Sequence, residues 1–285
     1  MRAKESNTLA LLKTLSDEIS SAQINLKNSY PISEPDKAKG QVLLFKGCSA
    51  DLFEQQSLLD AIKLLNACHF NVTVPQKQSC CGAIKLRHGD HKGMLLQAQQ
   101  NINAFTNDNE NNYEAIVSLN SSCSGQLKEY AELDSLISNA KEFSHKSSDL
   151  MAFLYKQMKV SQLNLAPLDQ QVLIHTTCSL KNVLQEEQLL YQLLALIPGI
   201  KLHQLNSQYC CGAAGSYMLQ YPKVSNQLLH DKLEEIKQQD SQLLVSSNIG
   251  CSLHFKQGLE YSGQKVEVIH PVSLLARQLH IRASV

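Results

Sequence analysis

The sequence predicts an α/β protein made of two tandem pseudo-repeat domains, each a small parallel sheet with flanking helices. Short apolar runs alternate with helical patterns along the chain, which is typical of parallel α/β units. Cysteines follow these runs at similar intervals in both halves. The motifs of the two halves also align in order: GCSA with TTCS, SCCGA with YCCGA, and SSC with IGC. We interpret this repetition as a gene duplication.

The N-terminal region lies before the repeats. Apolar spacing predicts an amphipathic helix over residues 7–28, and the polar stretch PISEPDKAK at 31–39 is typical of a linker. A further helix at 138–160 is predicted to join the two halves. The predicted domains are residues 1–39 for the N-terminal helix and linker, 40–165 for the first cysteine-rich domain with its linking helix, and 166–285 for the second cysteine-rich domain.

The first repeat alternates predicted strands with predicted helices. Its strands are expected at Gln41–Phe45 (QVLLF), Asn71–Val74 and Ala115–Leu119 (AIVSL). One helix is expected around Leu58, Ile62 and Leu65, and another over residues 93–105.

The second repeat follows the same scheme. Its predicted strands are Gln171–His175 (QVLIH), Lys201–Leu205, Leu243–Ser246 and Lys265–Ile269. Its predicted helices are Glu186–Leu196, Tyr217–Gln239 and Ser273–Leu279.

Eight of the nine cysteines fall on the repeated pattern. They are Cys48, Cys80, Cys81 and Cys123 in the first half, and Cys178, Cys210, Cys211 and Cys251 in the second. In each half the first cysteine lies 32 positions before the pair, from 48 to 80 and from 178 to 210. Because ligands collect beyond the carboxyl ends of parallel strands, we expect the four sulfurs of each half to meet at one sheet edge. Cys68 stands outside the pattern and is predicted to be an ordinary core residue.

Each set of four cysteines is predicted to bind metal. A disulfide between adjacent cysteines closes almost no loop, and cysteines without a secretory signal indicate a reducing, cytoplasmic location. The glycine after each pair permits a sharp turn. Four thiolates suit an iron–sulfur cluster or a tetrahedral zinc. Structural zinc usually uses short Cys-x-x-Cys knuckles, which are absent here, so we favour one iron–sulfur cluster per half, of the 4Fe–4S type, with zinc as the alternative.

Several polar residues flank the cysteines. His88 and His91 are interpreted as loop residues rather than ligands, and His175 and His270 stand at strand ends beside the cysteine edge. The last two are therefore candidates for contact with the ligands, not for ligation.

Composition excludes several classes of function. Lys and Arg total 26 and Asp and Glu total 26, so no excess charge favours nucleic acid or an anionic membrane surface. The chain shows neither a transmembrane run nor a signal peptide. It has no G-x-G-x-x-G motif, no phosphate loop and no defensible catalytic triad, so no catalytic residue is predicted.

The motifs resemble those of the cysteine-rich "CCG" domains. FKGC at 45–48, SCCGAIKLRHGD at 79–90, CCGAAGSYMLQYP at 210–222 and SSNIGCSLH at 246–254 carry the resemblance, which covers about residues 40–280. Such domains occur in the cysteine-rich component of heterodisulfide reductase, the lactate-utilisation iron–sulfur protein and the glycolate oxidase iron–sulfur subunit. The C-terminal part of the last is the most similar of the three.

The resemblance implies an electron-transfer subunit. It would accept electrons from a flavin-containing 2-hydroxy-acid dehydrogenase subunit and pass them toward the respiratory quinone pool, with peripheral membrane association only through the complex. The glycolate oxidase subunits begin with a ferredoxin-like domain, whereas no cysteine precedes Cys48 here. The resemblance therefore implies either a truncated or split version of such a subunit or a separate ferredoxin-like protein as a partner. The alternative function is a non-redox interaction subunit with structural zinc.

The fullest form of the family pattern ends each half in Cys-x-x-Cys. Here the leading positions are Asn120 and Asn248, which argues against a five-cysteine, non-cubane cluster. An amide oxygen is a hard donor and suits a sulfur-rich site poorly. We expect both asparagines instead to orient the turns before Cys123 and Cys251 by hydrogen bonds to the backbone.

Overall fold

The computed structural model describes residues 25–106, 112–161, 163–206 and 209–279. Most of the helix predicted over 7–28 therefore lies outside the described residues, and residues 25–28 are not helical.

The first sheet has five strands. They are β1 (Ser29–Tyr30), β2 (Gly40–Phe45), β3 (Phe70–Thr73), β4 (Ala115–Ser118) and β5 (Ser147–Asp149). Their order across the sheet is β1-β3-β2-β4-β5. Only β1, which was not predicted, pairs in the antiparallel direction, with β3.

The second sheet has four parallel strands. They are β6 (Gln171–His175), β7 (Lys201–Gln204), β8 (Leu243–Ser246) and β9 (Glu267–Ile269), in the order β7-β6-β8-β9. This order repeats that of β3-β2-β4-β5 in the first sheet. The tandem α/β repeat predicted from the sequence is therefore confirmed.

Helices connect the strands. In the first half they are Ala50–Phe53, Gln55–Ala67, Ala83–Arg87, His91–Thr106, Ser121–Glu129, Ala140–Lys146 and Leu150–Ser161. In the second half they are Glu187–Leu194, Tyr217–Gln220, Pro222–Lys237, Ile249–Tyr261 and Pro271–Gln278, with a π-helix at Ser179–Leu184. Short 3-10 helices lie at Pro35–Lys37 and Tyr130–Leu133.

Alternate residues of the strands face two different cores. Val42 and Leu44 of β2 join Val172 and Ile174 of β6 in one apolar core shared by the halves. Leu43 faces the other way, into a core that belongs to the first half alone. Because helices cover both faces, these strands carry nearly continuous apolar runs, as parallel strands do. The shared core joins the repeats into one packed unit.

Two predicted helices were wrong in detail. The segment 138–160 is not one helix, because β5 interrupts it at Ser147–Asp149 and pairs with β4. Serine and aspartate side chains compete for backbone hydrogen bonds and favour helix ends over helix interiors. The predicted helix Tyr217–Gln239 is divided at Tyr221–Pro222, where proline lacks the N–H needed inside a helix and is favoured in the first turn of a new one.

A buried polar residue caps the helix that follows the last strand of each half: Asp149 is the final residue of β5, and His270 comes directly after β9. Asp149 Oδ1 accepts a hydrogen bond from the N–H of Met151 (2.9 Å), and His270 Nδ1 accepts one from Val272 (3.2 Å). Burial raises the pKa of Asp149 to about 7 and lowers the pKa of His270 to about 4. Burial therefore favours the uncharged form of both side chains.

Replacing Asp149 by asparagine is expected to stabilise the protein more as the pH rises. The unfolded chain releases this proton near its ordinary pKa of 3.8, whereas the folded protein keeps it until about pH 7. Asparagine keeps the Oδ1 acceptor without the charge. The advantage of Asp149→Asn over wild type should grow by about 2–3 kcal/mol between about pH 5 and pH 8, measured by urea unfolding. A difference that does not change with pH would contradict this account.

Candidate metal centres

The first quartet consists of Cys48, Cys80, Cys81 and Cys123. Cys48 follows β2, the pair precedes the helix Ala83–Arg87, and Cys123 lies in the first turn of the helix Ser121–Glu129. Hydrogen bonds between the side chains link Cys48 to Cys80, Cys80 to Cys81, and Cys81 to Cys123. The four sulfurs thus form one connected group at the carboxyl edge of the sheet.

The second quartet repeats this arrangement with Cys178, Cys210, Cys211 and Cys251. Side-chain hydrogen bonds link them in the same order, and Cys251 also interacts with His175. The structure therefore brings together the same four cysteines of each half that the repeated spacing groups in the sequence. Metal binding by these residues stays a prediction.

The glycine of each Cys-Cys-Gly motif has a backbone conformation that other residues rarely adopt. Its φ angle is +85° at Gly82 and +89° at Gly212. A Cβ atom at position 212 would lie 2.5 Å from the carbonyl oxygen of Ser225, which leaves no room for a side chain. The resulting turn lets the N–H of Gly212 donate to Cys210 Sγ at 3.3 Å. The glycine is thus needed for the turn that brings the sulfur of Cys210 within hydrogen-bond distance of a backbone amide.

The surroundings of the first cysteine of each pair favour its thiolate form. Hydrogen bonding from Cys48, then from Cys81 and the amide of Gly82, lowers the pKa of Cys80. Cys210 has its pKa lowered in the same way by Cys178, Cys211 and the amide of Gly212. Hydrogen bonding to neighbouring cysteines and burial raise the pKa of Cys81 and Cys211. Metal binding requires deprotonated thiols, so loading these sites would release protons.

The donor set fits an iron–sulfur cluster. Thiolates are soft ligands, four of them complete the protein ligation of such a cluster, and each quartet supplies four connected sulfurs. Cys48 and Cys178 are exposed while Cys81 and Cys211 are buried, so each quartet reaches from the protein interior to the surface. Such an arrangement holds a metal group within reach of a partner protein.

Asn120 and Asn248 cap the helices that carry Cys123 and Cys251. Asn120 Oδ1 accepts a hydrogen bond from the N–H of Ser122 (3.1 Å), and Asn248 Oδ1 accepts one from the N–H of Cys251 (3.3 Å). These hydrogen bonds confirm the predicted role in orienting the turns. Asn248 Nδ2 also donates across the two halves to Ser122 Oγ (2.6 Å) and Asn120 Oδ1 (3.1 Å).

Replacing Asn248 by alanine is expected to lower stability while leaving the metal content unchanged. The variant loses a helix cap and two hydrogen bonds between the halves, which together contribute about 1–3 kcal/mol. Thermal unfolding and metal analysis of the purified protein would measure the two effects. Loss of metal from Asn248→Ala in a protein that remains folded would show that the amide is a ligand after all.

The other flanking residues have ordinary partners. His88 Nε2 lies 2.7 Å from Ser216 Oγ, so the loops after the two Cys-Cys-Gly motifs touch each other. His91 is an exposed residue that begins the helix His91–Thr106. His270 Nε2 lies 3.1 Å from the carbonyl oxygen of Leu119 in the other half. Cys68 is fully buried in the shared core, as predicted.

His175 was predicted to contact the metal ligands, and the structure places it beside two of the cysteines. One of its ring nitrogens and the sulfurs of Cys211 and Cys251 all lie within 4.8 Å of one another. The difference between the two halves at this position is visible in the sequence, because QVLLF of the first half aligns with QVLIH of the second and Phe45 aligns with His175. The second quartet therefore has a possible nitrogen donor at a position where the first has a phenyl ring.

The fold and these sites define a duplicated α/β protein with a cysteine cluster at the edge of each sheet. The chain belongs to the family described as "Cysteine-rich domain" (CCG), whose model matches residues 42–128 and again 172–256. The two matches cover more than half of the chain and coincide with the two repeats.

Individual proteins are similar over most of this chain. Lactate utilization protein A of Shouchella clausii is 28% identical over 239 residues, covering 82% of this chain and 98% of that protein. Lactate utilization protein A of Halalkalibacterium halodurans is 27% identical, covering 85% and 99%. A Bacillus subtilis protein named "Probable glycolate oxidase iron-sulfur subunit" is 29% identical, covering 83% of this chain but only 54% of that protein. This chain thus spans about half the length of the glycolate oxidase relative.

Among solved structures, glutamate racemase isoform RacE1 from Bacillus anthracis gives a TM-score of 0.34 at 11% identity, covering 85% of this chain and 80% of that one. Within the described part of the chain, none of the helices is long and apolar enough to cross a membrane.

Proposed function

We propose that this chain is an iron–sulfur electron-transfer subunit of a complex that oxidises a 2-hydroxy acid such as glycolate or lactate. The observation that carries the proposal is the gathering of eight thiols into two connected quartets at equivalent sheet edges. The similarity to lactate utilization and glycolate oxidase proteins supplies the reaction class. When bound, an iron–sulfur cluster supplies one-electron chemistry.

The residues of this chain would hold one 4Fe–4S cluster in each half. The buried Cys81 and Cys211 anchor the inner side of each site, and the exposed Cys48 and Cys178 complete it at the surface. A flavin-containing dehydrogenase subunit is the proposed electron donor, because oxidation of a hydroxy acid removes a pair of electrons that a flavin can divide. The proposed location of the complex is the cytoplasm, with a separate ferredoxin-like protein as a further partner.

A second candidate is a non-redox subunit with structural zinc. One observation favours it: His175 joins Cys211 and Cys251 in a buried group of mixed nitrogen and sulfur donors, and zinc binds such sets well. The first half has a phenylalanine rather than a histidine at this position, so the observation applies only to the second site.

Metal analysis of anaerobically purified protein separates the two candidates. The electron-transfer proposal expects a brown protein that contains iron and acid-labile sulfide in both halves. Variants Cys81→Ser and Cys211→Ser should each lose the share of iron that belongs to one half. A colourless protein that contains zinc and no sulfide would establish the structural candidate instead.

A further inference from the structure

The two quartets are not chemically equivalent, because one neighbouring residue differs between them. Phe45 is the last residue of β2 and pairs with Ser118, whereas His175 is the last residue of β6 and pairs with Ser246. These two positions correspond in the duplicated sheets. The phenyl ring of Phe45 packs against Phe105 with ring centroids 6.0 Å apart and offers no polar atom.

His175 is held firmly beside the second quartet. It is only 3% exposed, and its ring packs edge-on against Phe255 with centroids 4.8 Å apart. Its Nε2 atom is buried and has no hydrogen-bond partner among the described residues. Leaving a buried polar atom without a partner costs about 1–3 kcal/mol, so a partner at the site is expected. A ring nitrogen of His175 lies within 4.8 Å of the sulfurs of Cys211 and Cys251, and the side chain of Cys251 interacts with His175, so these sulfurs and whatever they bind are within reach of the ring.

We propose that a ring N–H of His175 donates a hydrogen bond to sulfur at the second metal centre, which makes that centre the higher-potential one of the two. The proposal rests on the proposed function in so far as both quartets carry iron–sulfur clusters. Four cysteines already complete the protein ligation of such a cluster, which leaves the histidine as a donor beside it.

The direction of the effect follows from charge. Reduction adds one negative charge to the centre and its sulfurs, and a hydrogen-bond donor stabilises the reduced state more than the oxidised state. Groups that donate to metal ligands tune the metal in this manner. Phe45 cannot donate, so the first centre lacks this stabilisation and keeps the lower potential.

Potentiometric titration followed by electron paramagnetic resonance tests the proposal on the cluster-loaded, full-length protein. His175→Phe copies the residue that the first half has at this position. We expect it to retain its iron and to lower only the higher of the two midpoint potentials. A tenfold change in the reduction equilibrium corresponds to 59 mV for one electron, and we expect at least this shift.

Two further variants separate hydrogen bonding from packing. His175→Gln keeps an N–H donor and should restore part of the potential lost in His175→Phe. Phe45→Leu alters apolar packing at the matched position of the first half and should leave both midpoints unchanged. A merely structural role for His175 would predict no such difference between glutamine and phenylalanine.

The result that would overturn the proposal is His175→Phe with full iron and two unchanged midpoints. Loss of the second half's iron from a folded His175→Phe protein would also overturn it, since the histidine would then be a ligand. Wild-type protein without iron would refute the proposed function itself, and with it this inference. That failure is recognisable because it appears before any substitution is made.

Discussion

Replacing Cys211 by serine is expected to remove the metal of the second half. Cys211 is 1% exposed and is hydrogen-bonded to both Cys210 and Cys251, so it occupies the middle of the quartet. Serine offers a harder and smaller donor atom that matches a soft metal centre poorly. Because metal binding and folding are coupled, the second half should also become less stable. Iron and sulfide analysis together with thermal unfolding would measure both effects.

Cys68→Ala is the matched control for this experiment. Cys68 is also fully buried, but it lies in the apolar core shared by the halves and outside both quartets. Its replacement should leave iron and sulfide unchanged and cost only about 1–2 kcal/mol of stability for the small cavity it creates. If Cys68→Ala lost as much iron as Cys211→Ser, the assignment of the quartets would be wrong.

The isolated chain is expected not to oxidise glycolate or lactate, even with both sites loaded. Removing two electrons and two protons from a hydroxy acid usually requires a flavin or nicotinamide to take the hydride. The sequence has no G-x-G-x-x-G motif to bind a dinucleotide. Reduction of an artificial dye should therefore appear only after a flavin dehydrogenase subunit is added to the assay.

The same assay tests whether electrons pass through this chain. Cys81→Ser and Cys211→Ser should each reduce dye turnover in the reconstituted complex at least about tenfold, since each removes one group that carries electrons. Cys68→Ala should retain the wild-type rate. Turnover of a hydroxy acid by the purified chain in the absence of flavin would refute its role as a subunit.

The strands could be predicted from the sequence because a buried strand has a local pattern of apolar residues. Runs such as QVLLF and QVLIH have a continuous apolar centre, as buried parallel strands do, and the predicted strands begin and end within two residues of the observed ones. The repeated spacing of the cysteines gave a second line of evidence, since it indicated two copies of one fold. Parallel sheets then place each quartet at a carboxyl edge without further information.

Short polar elements escaped prediction because their structure depends on distant partners. β5 contains only Ser147, Ser148 and Asp149, and it is a strand because β4 presents an unpaired edge beside it. The pairing of β1 with β3 likewise involves only two residues, Ser29 and Tyr30, which lie between the predicted N-terminal helix and the predicted linker. Local periodicity carries no trace of such contacts.

The duplication, the eight cysteines of the two quartets and the carboxyl-edge position of each site were all predictable from the order of residues alone. The packing of the two halves against each other was not predictable from the sequence, because it depends on the shared core and on the hydrogen bonds from Asn248 to Ser122 and Asn120. The position of His175 beside the cysteines was expected from the sequence, whereas its distances to the sulfurs of Cys211 and Cys251 were decided by the tertiary structure. Spacing along the chain sets which residues share a sheet edge. Burial and distance, which arise from residues far apart in sequence, set what each of them touches.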